Sequence, residues 1–171
     1  NSQPSPFKAE RNSPSLPIYA VSTAEIPAEA AELDFYATEA APHIKDLIIR
    51  IVRDEGPISL SLLCQRIAPK WGIQRVTQRF SQHVAKLARS AGVKRVSHGK
   101  QTFFWPPDAD PQTYNIFRLP TDESTRRNAD DLPPEEVANV ILYVLRREVS
   151  LPADDLVRET ARLLGYQRTG Q

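Results

Sequence analysis

The chain has 171 residues, 40% of them hydrophobic and 25% charged, which is typical of one or two folded domains. It has no run of 18 apolar residues, which excludes a transmembrane helix and predicts a protein that does not contact a membrane. Its only cysteine is Cys64, which excludes an intrachain disulfide and predicts a cytoplasmic protein. The net charge of +1 hides an uneven distribution, because residues 56–107 contain nine Lys and Arg but no Asp or Glu.

The first segment, residues 1–34, contains five of the fifteen prolines together with many Ser and Ala residues. This composition predicts an extended arm or an interdomain linker. The chain starts at Asn1 and contains no methionine. Because translation starts with methionine, we expect the sequence to be a piece of a longer protein.

Residues 35–107 begin with the pattern of two helices. Pro42 suits the first turn of the first helix. This helix carries one apolar stripe, formed by Ile44, Leu47, Ile48, Ile51 and Val52. Ile58 then predicts a short extended segment, and Ser59 can cap the second helix.

A third helix and a β-hairpin complete this region. The third helix is predicted from Arg75 to Ala91, and Gly92 lies where a left-handed terminating residue is expected. Two short β-like runs follow, Val93–Val96 and Gln101–Trp105, and Gly99 lies in the turn between them. The order helix, short strand, helix, helix, hairpin predicts a winged helix-turn-helix.

Residues 108–133 predict a mostly irregular connector, and residues 134–171 predict two further helices. Shifting the chain by 93 residues aligns 44–78 with 137–171 without a gap, and nine of the 35 aligned positions are identical. We interpret residues 134–171 as a truncated half-repeat of the first module. A chance match between two helical pairs is the alternative.

The predicted fold class is therefore mainly α with a small β-hairpin: a winged helix-turn-helix followed by a truncated helix-turn-helix-like half. In the half-repeat, Gly165 takes the place of Gly72. Because its third helix is missing, this half should have an apolar face that its own helices do not cover. We expect that face to be covered by the first module, by the arm around Leu16–Val21 or by a neighbouring molecule.

The acid-free region contains the candidate nucleic-acid-binding residues. On a helical wheel, one face of the third helix is polar and cationic, with Arg75, Arg79, Gln82, Lys86 and Arg89. The hairpin would extend this surface with Lys94, Arg95, His98 and Lys100. Long cationic side chains reach DNA phosphates and base edges while the apolar face anchors the helix.

An ordinary solvated basic face is the alternative interpretation of these residues, and the absence of balancing acids favours nucleic acid. No aromatic residue lies among the basic positions of the third helix. This argues against the stacking of single-stranded bases on that helix.

No motif in the chain points to catalysis, a cofactor or a metal. There is no phosphate-binding P-loop motif, and the histidines His43, His83 and His98 form no zinc-ligand spacing with Cys64. Cys64 lies on the apolar stripe of the second helix, which predicts a buried side chain. We expect a non-catalytic domain without a metal or a cofactor.

Four segments of the chain carry a family resemblance: IVRDEGPIS, LCQRIAPKWGIQRVTQRF, FFWP and PPEEVANVILYVLRREVSLPADDLVRETARLLGYQRTG. Together they resemble a domain of unknown function near the C-terminus of large bacterial superfamily 1 DNA helicase-like proteins. The resemblance covers roughly residues 36–171. It implies a parent protein with ATP-driven motor motifs, none of which lies in this chain.

The sequence therefore predicts a non-catalytic accessory domain of a helicase-like protein. It would bind duplex or forked DNA mainly through phosphates, with little sequence selectivity. The alternative function is protein interaction, in which the winged helix docks on the parent helicase core or on another partner. The sequence does not discriminate between a duplex and a protein partner.

Overall fold

The chain forms two compact units in the computed structural model, which describes residues 16–148 and 150–167. The central unit comprises residues 21–112. The split unit combines residues 16–20 with residues 113–167. Residues 1–15 of the predicted arm and residues 168–171 of the predicted half-repeat lie outside the described residues.

The central unit contains four α-helices and one small sheet. The helices are α1 (Ala28–Ala31), α2 (Ala41–Glu55), α3 (Leu60–Ile67) and α4 (Gln78–Ser90), and the strands are β1 (Ile58–Ser59), β2 (Lys94–His98) and β3 (Gln101–Trp105). The sheet is antiparallel with the order β1-β3-β2. Gly99 has a φ of 61° in the turn of the β2–β3 hairpin, as its predicted position requires.

Side-chain caps set the first residues of two of these helices. The Ser59 hydroxyl accepts the Leu62 N–H at 3.0 Å, as predicted for the second helix. The Thr77 hydroxyl accepts the Phe80 N–H at 3.2 Å, so α4 begins at Gln78. The predicted start at Arg75 is therefore wrong, because Arg75 lies in the loop between Gly72 and the Thr77 cap.

The core of the central unit lies between α2, α3 and α4. It buries the predicted apolar stripe of α2, together with Leu63 and Cys64 of α3 and Phe80 and Val84 of α4. Phe104 of β3 closes the same core. Each large side chain buried here contributes roughly 1.5–3 kcal/mol to folding.

A buried carboxylate ties the segment before α2 to this core. Glu55 is fully buried, and its side chain accepts hydrogen bonds from Arg66 Nε at 2.8 Å and from the Ser22 backbone N–H at 2.7 Å. Ala24 and Ile26 also pack against the core. Residues 21–34 of the predicted arm thus lie in the same compact unit as α2, α3 and α4.

The split unit is built around α5 (Pro134–Arg147) and α6 (Ala153–Leu163), which pack against each other. Its core consists of Phe117, Leu132, Val140 and Leu164, and Leu16 packs against it. Residues 16–20 are held by a parallel β-bridge between Ile18 and Leu119.

Part of the predicted connector contributes to the core of the split unit. From residue 113 onward it belongs to the split unit, since it provides Phe117 and Leu132 to that core. Together with Leu16, this segment covers part of the apolar face that we predicted for the half-repeat. Leu142, Leu145 and Val157 remain exposed.

Glu136 organises the charges within the split unit. It is fully buried, accepts hydrogen bonds from Arg118 Nε and Nη2 at 2.9 Å, and forms an ion pair with Arg127. The Tyr19 ring lies against both guanidinium groups, with centroid distances of 5.2 Å to Arg118 and 4.3 Å to Arg127. Burial alone would raise the pKa of Glu136, but the two arginines outweigh it and the pKa lies below its ordinary value.

The two helical pairs, α2 with α3 and α5 with α6, share local features at positions 93 residues apart. The starts of α2 and α3, at Ala41 and Leu60, correspond to the starts of α5 and α6. Gly72 and Gly165 both have positive φ, at 64° and 88°.

The hydrogen bonds that close each pair also correspond. The Gly72 N–H donates to Pro69 O and the Gly165 N–H donates to Arg162 O, both at 3.0 Å. The predicted break between the last two helices is present, because α6 starts only after Pro152. A common origin of the two pairs stays a prediction.

The described residues confirm the coarse fold class. The chain is about half helical and contains one small three-stranded antiparallel sheet. None of the described helices is both long enough and apolar enough to cross a membrane.

The buried Glu136 network gives a test of the split unit. Glu136→Gln leaves two arginines around a neutral amide, so we expect the free energy of unfolding of this unit to fall by roughly 3–5 kcal/mol. Native-state hydrogen exchange of α5 peptides measures the change. The matched control is Glu123→Gln, which breaks an exposed pair with Arg126 and should cost at most about 1 kcal/mol. Equal protection of α5 in both variants would contradict this account.

Candidate nucleic-acid interface

Seven of the nine Lys and Arg residues between positions 56 and 107 form the candidate interface. The other two pair with carboxylates from outside that region: Arg66 with Glu55, and Lys70 with Glu25. The remaining seven are all exposed: Arg75, Arg79, Lys86, Arg89, Lys94, Arg95 and Lys100. None of them forms an ion pair with another residue of the described ranges, 16–148 and 150–167. Their charge is therefore available to an external anion.

Helix α4 places three of these cations on one face. Arg79, Lys86 and Arg89 are exposed, and Gln82 lies between them at helical spacing. The row from Arg79 to Arg89 extends about 15 Å along the helix. The opposite face is fixed in the core by Phe80, Val84, Leu87 and Ala88. The row is therefore held on a rigid support.

Arg75 lies outside this helical row. It is exposed in the loop before the Thr77 cap. A helical wheel puts Arg75 on the same face as Arg79 only if the helix extends to residue 75, whereas α4 begins at Gln78. Arg75 remains a candidate contact from the loop.

The hairpin residues are less uniform than the sequence implied. Neighbouring side chains of a strand point to opposite faces, so Lys94 and His98 share one face of β2 and Arg95 lies on the other. Lys94 Nζ donates to the Ala109 carbonyl at 2.7 Å, and the His98 ring lies edge-on to Phe103 with centroids 6.1 Å apart. Lys100 is exposed at the tip. These four residues do not form one continuous surface.

The structure also brings an aromatic residue to the basic face of α4. Phe35 stacks on Phe80, with ring centroids 4.5 Å apart, and this contact holds the next residue, Tyr36, beside α4. The Arg79 guanidinium carbon lies 4.1 Å from the Tyr36 ring centroid. The His83 ring lies 5.1 Å from the same ring.

These side chains line a shallow depression of about 320 Å³. We call it the Tyr36 notch; it is lined by Tyr36, Arg79, Gln82, His83 and Lys86. Sequence reasoning missed Tyr36 and His83. The signal available for Tyr36 was its place beside Phe35, an apolar aromatic that had to be buried near a helix.

The surroundings of His83 favour its uncharged form. Burial lowers its pKa below the ordinary value, and the positive charges of Lys86 and Arg79 lower it further, while a hydrogen bond with the Phe35 backbone opposes them. The His83 Nε2 atom is buried and has no hydrogen-bond partner among the described residues. The notch therefore combines the cations Arg79 and Lys86 with the aromatic rings of Tyr36 and His83.

No feature of the described residues suggests metal or thiol chemistry. Within residues 16–148 and 150–167, no group of three or more His, Cys, Asp and Glu side chains could hold a metal ion. Cys64 is buried, and burial raises its pKa to about 11, so the thiolate is scarce at neutral pH.

Comparison with known proteins adds one finding. Residues 34–82 match a family described as a protein of unknown function, DUF3320. The matched segment runs from just before Tyr36, through α2, β1 and α3, to the first residues of α4. It therefore contains a domain of unknown function. No curated protein and no solved structure matches the chain.

The lowered pKa of His83 predicts a loss of stability in mild acid. The unfolded chain binds a proton at about pH 6.5, whereas the folded chain resists it, so stability is full above this pH and falls as the pH is lowered. Replacing the imidazole in His83→Gln should remove this part of the pH dependence.

Urea unfolding of both proteins at about pH 7.5 and about pH 5.5 measures the effect. The free-energy advantage of the wild type over the variant should shrink at the lower pH. Parallel losses in the two proteins would show that His83 is not responsible.

Proposed function

We propose that residues 35–107 are a winged helix-turn-helix that binds DNA, chiefly through phosphates and with little sequence selectivity. The order of α2, β1, α3, α4 and the β2–β3 hairpin supports this assignment. In it, α4 is the recognition helix and the hairpin is the wing. The domain acts by binding and does not itself catalyse a reaction.

One observation carries the proposal: the seven exposed cations around α4 and the hairpin have no carboxylate partner in the described part of the chain. A surface intended only for solvation normally mixes both signs of charge. Among the described residues, the carboxylates that form ion pairs with residues 56–107 are Glu55, with Arg66, and Glu25, with Lys70. The cations that remain are those a polyanion would bind.

The setting of the domain belongs to the proposal as well. The sequence resemblance supports a cytoplasmic, bacterial, helicase-like parent protein, whose motor domains would be partners of this chain. A domain that holds phosphates without choosing a sequence suits such a parent, because a motor must contact DNA at every position along its track.

The alternative is a protein partner with an acidic surface, such as the parent helicase core. The same seven cations would serve both functions. DNA binding differs in its dependence on salt, because each neutralised phosphate releases condensed counterions.

The salt dependence of duplex affinity tests the proposal. If about five phosphates are neutralised, log K should fall with log salt at a slope of about −4.5. Removing Arg79, Lys86 and Arg89 together by alanine substitution should weaken binding and bring the slope to about −1.8. Fluorescence anisotropy with a blunt duplex measures both values, and circular dichroism should show unchanged helix content.

A matched control removes three exposed arginines that lie outside the interface: Arg53, Arg146 and Arg158. This control changes the net charge equally, so it should keep the wild-type slope. If the wild type binds no duplex at low salt, or if both triple variants bind equally, the recognition-helix proposal fails. Binding to an isolated helicase core without DNA binding would favour the alternative.

A further inference from the structure

We propose that the Tyr36 notch binds one unpaired nucleotide, with its base against the wall of Tyr36, Arg79 and His83 and its phosphate beside Lys86. This inference rests on the proposed DNA binding and names the feature of DNA that the face would select. It reverses the expectation from the sequence that this face is unsuited to stacking, because the aromatic residue comes from outside α4.

The shape of the notch suits a single unpaired base. It is a shallow, open depression of about 320 Å³. A single base can enter such a depression, whereas a base pair inside a stacked duplex cannot leave its neighbours to do so. The site therefore favours a nucleotide that is already unpaired.

The side chains of the wall can stack with a base. Bases stack on aromatic rings and on the plane of an arginine guanidinium. The Arg79 guanidinium lies 4.1 Å from the Tyr36 ring centroid, so the tyrosine supports it from one side. The Tyr36 backbone N–H donates to the Asp34 carboxylate at 2.7 Å, and the neighbouring Phe35 ring stacks on Phe80. These contacts hold the backbone of Tyr36 in place without help from Arg79.

The polar groups of the notch are placed to contact both a base edge and a phosphate. Gln82 lies at the rim, where its amide can both donate to and accept from a base edge. Lys86 lies one helical turn further along α4 and places an ammonium beside the wall. An inorganic phosphate would use the cations only and would leave the Arg79 guanidinium plane, which rests on the Tyr36 ring, without a stacking partner. A nucleotide uses both.

The test compares three DNAs with the full chain at low salt: a blunt duplex, the same duplex with one bulged adenine, and the same duplex with an abasic bulge. Anisotropy titrations measure each Kd. The wild type should bind the adenine bulge at least about fivefold more tightly than the abasic bulge. This ratio isolates the base, since both bulged DNAs carry the same phosphates.

Three variants locate the effect. Tyr36→Leu removes the ring and should bring the ratio close to one, whereas Tyr36→Phe keeps the ring and should retain the ratio. Arg79→Lys keeps the charge at an exposed position but lacks the guanidinium plane, so it should also lower the ratio. Because each ratio is measured within one protein, a general loss of affinity or of folded fraction cancels.

The outcomes separate the two proposals. Equal wild-type affinity for the adenine and abasic bulges, with blunt-duplex binding intact, overturns the nucleotide site and leaves the DNA-binding proposal standing. A preference for adenine that persists in both Tyr36→Leu and Arg79→Lys also overturns the notch as its location. If no DNA binds at low salt, the proposed function fails and this inference fails with it.

Discussion

The division of α4 into a buried apolar face and an exposed cationic face is the constraint on which the central unit depends. Phe80, Val84 and Leu87 fix the helix in the core with α2 and α3. This packing determines that Arg79, Lys86 and Arg89 face outward. Cations on one rigid face repel one another unless an anion is present. The energy that holds α4 in place therefore also maintains a surface that gains free energy when it meets a polyanion.

Each unit also contains one buried carboxylate that organises arginines and a distant segment of chain. Glu55 binds Arg66 and the backbone of Ser22 in the central unit. Glu136 binds Arg118 and Arg127 in the split unit. Replacing only one partner of such an ion pair lowers the stability of the fold strongly, because the charge of the other partner stays buried without compensation. These pairs remove the charges of three arginines, Arg66, Arg118 and Arg127, from the exposed surface. The Glu55 pair also attaches Ser22, within the predicted arm, to the core of the central unit.

The sequence predicted those features of the fold that depend on local patterns. The stripe of α2, the Ser59 cap and the glycines of the turns follow from spacing and residue type alone. The start of α4 was wrong because hydrophobic periodicity continues through Val76, while the Thr77 hydroxyl decides where the helix begins. The notch could not be predicted, since Tyr36 and Arg79 are more than forty residues apart and meet only because Phe35 packs on Phe80.

The most direct test of the central claim is a map of amide chemical-shift changes when blunt duplex DNA is added to the isotope-labelled chain at low salt. The account predicts that the largest changes lie between residues 75 and 100, on the exposed face of α4 and in the β2–β3 hairpin. Residues of α5 and α6 should change little. The largest changes on α5 and α6, or none at saturating DNA, would contradict the account.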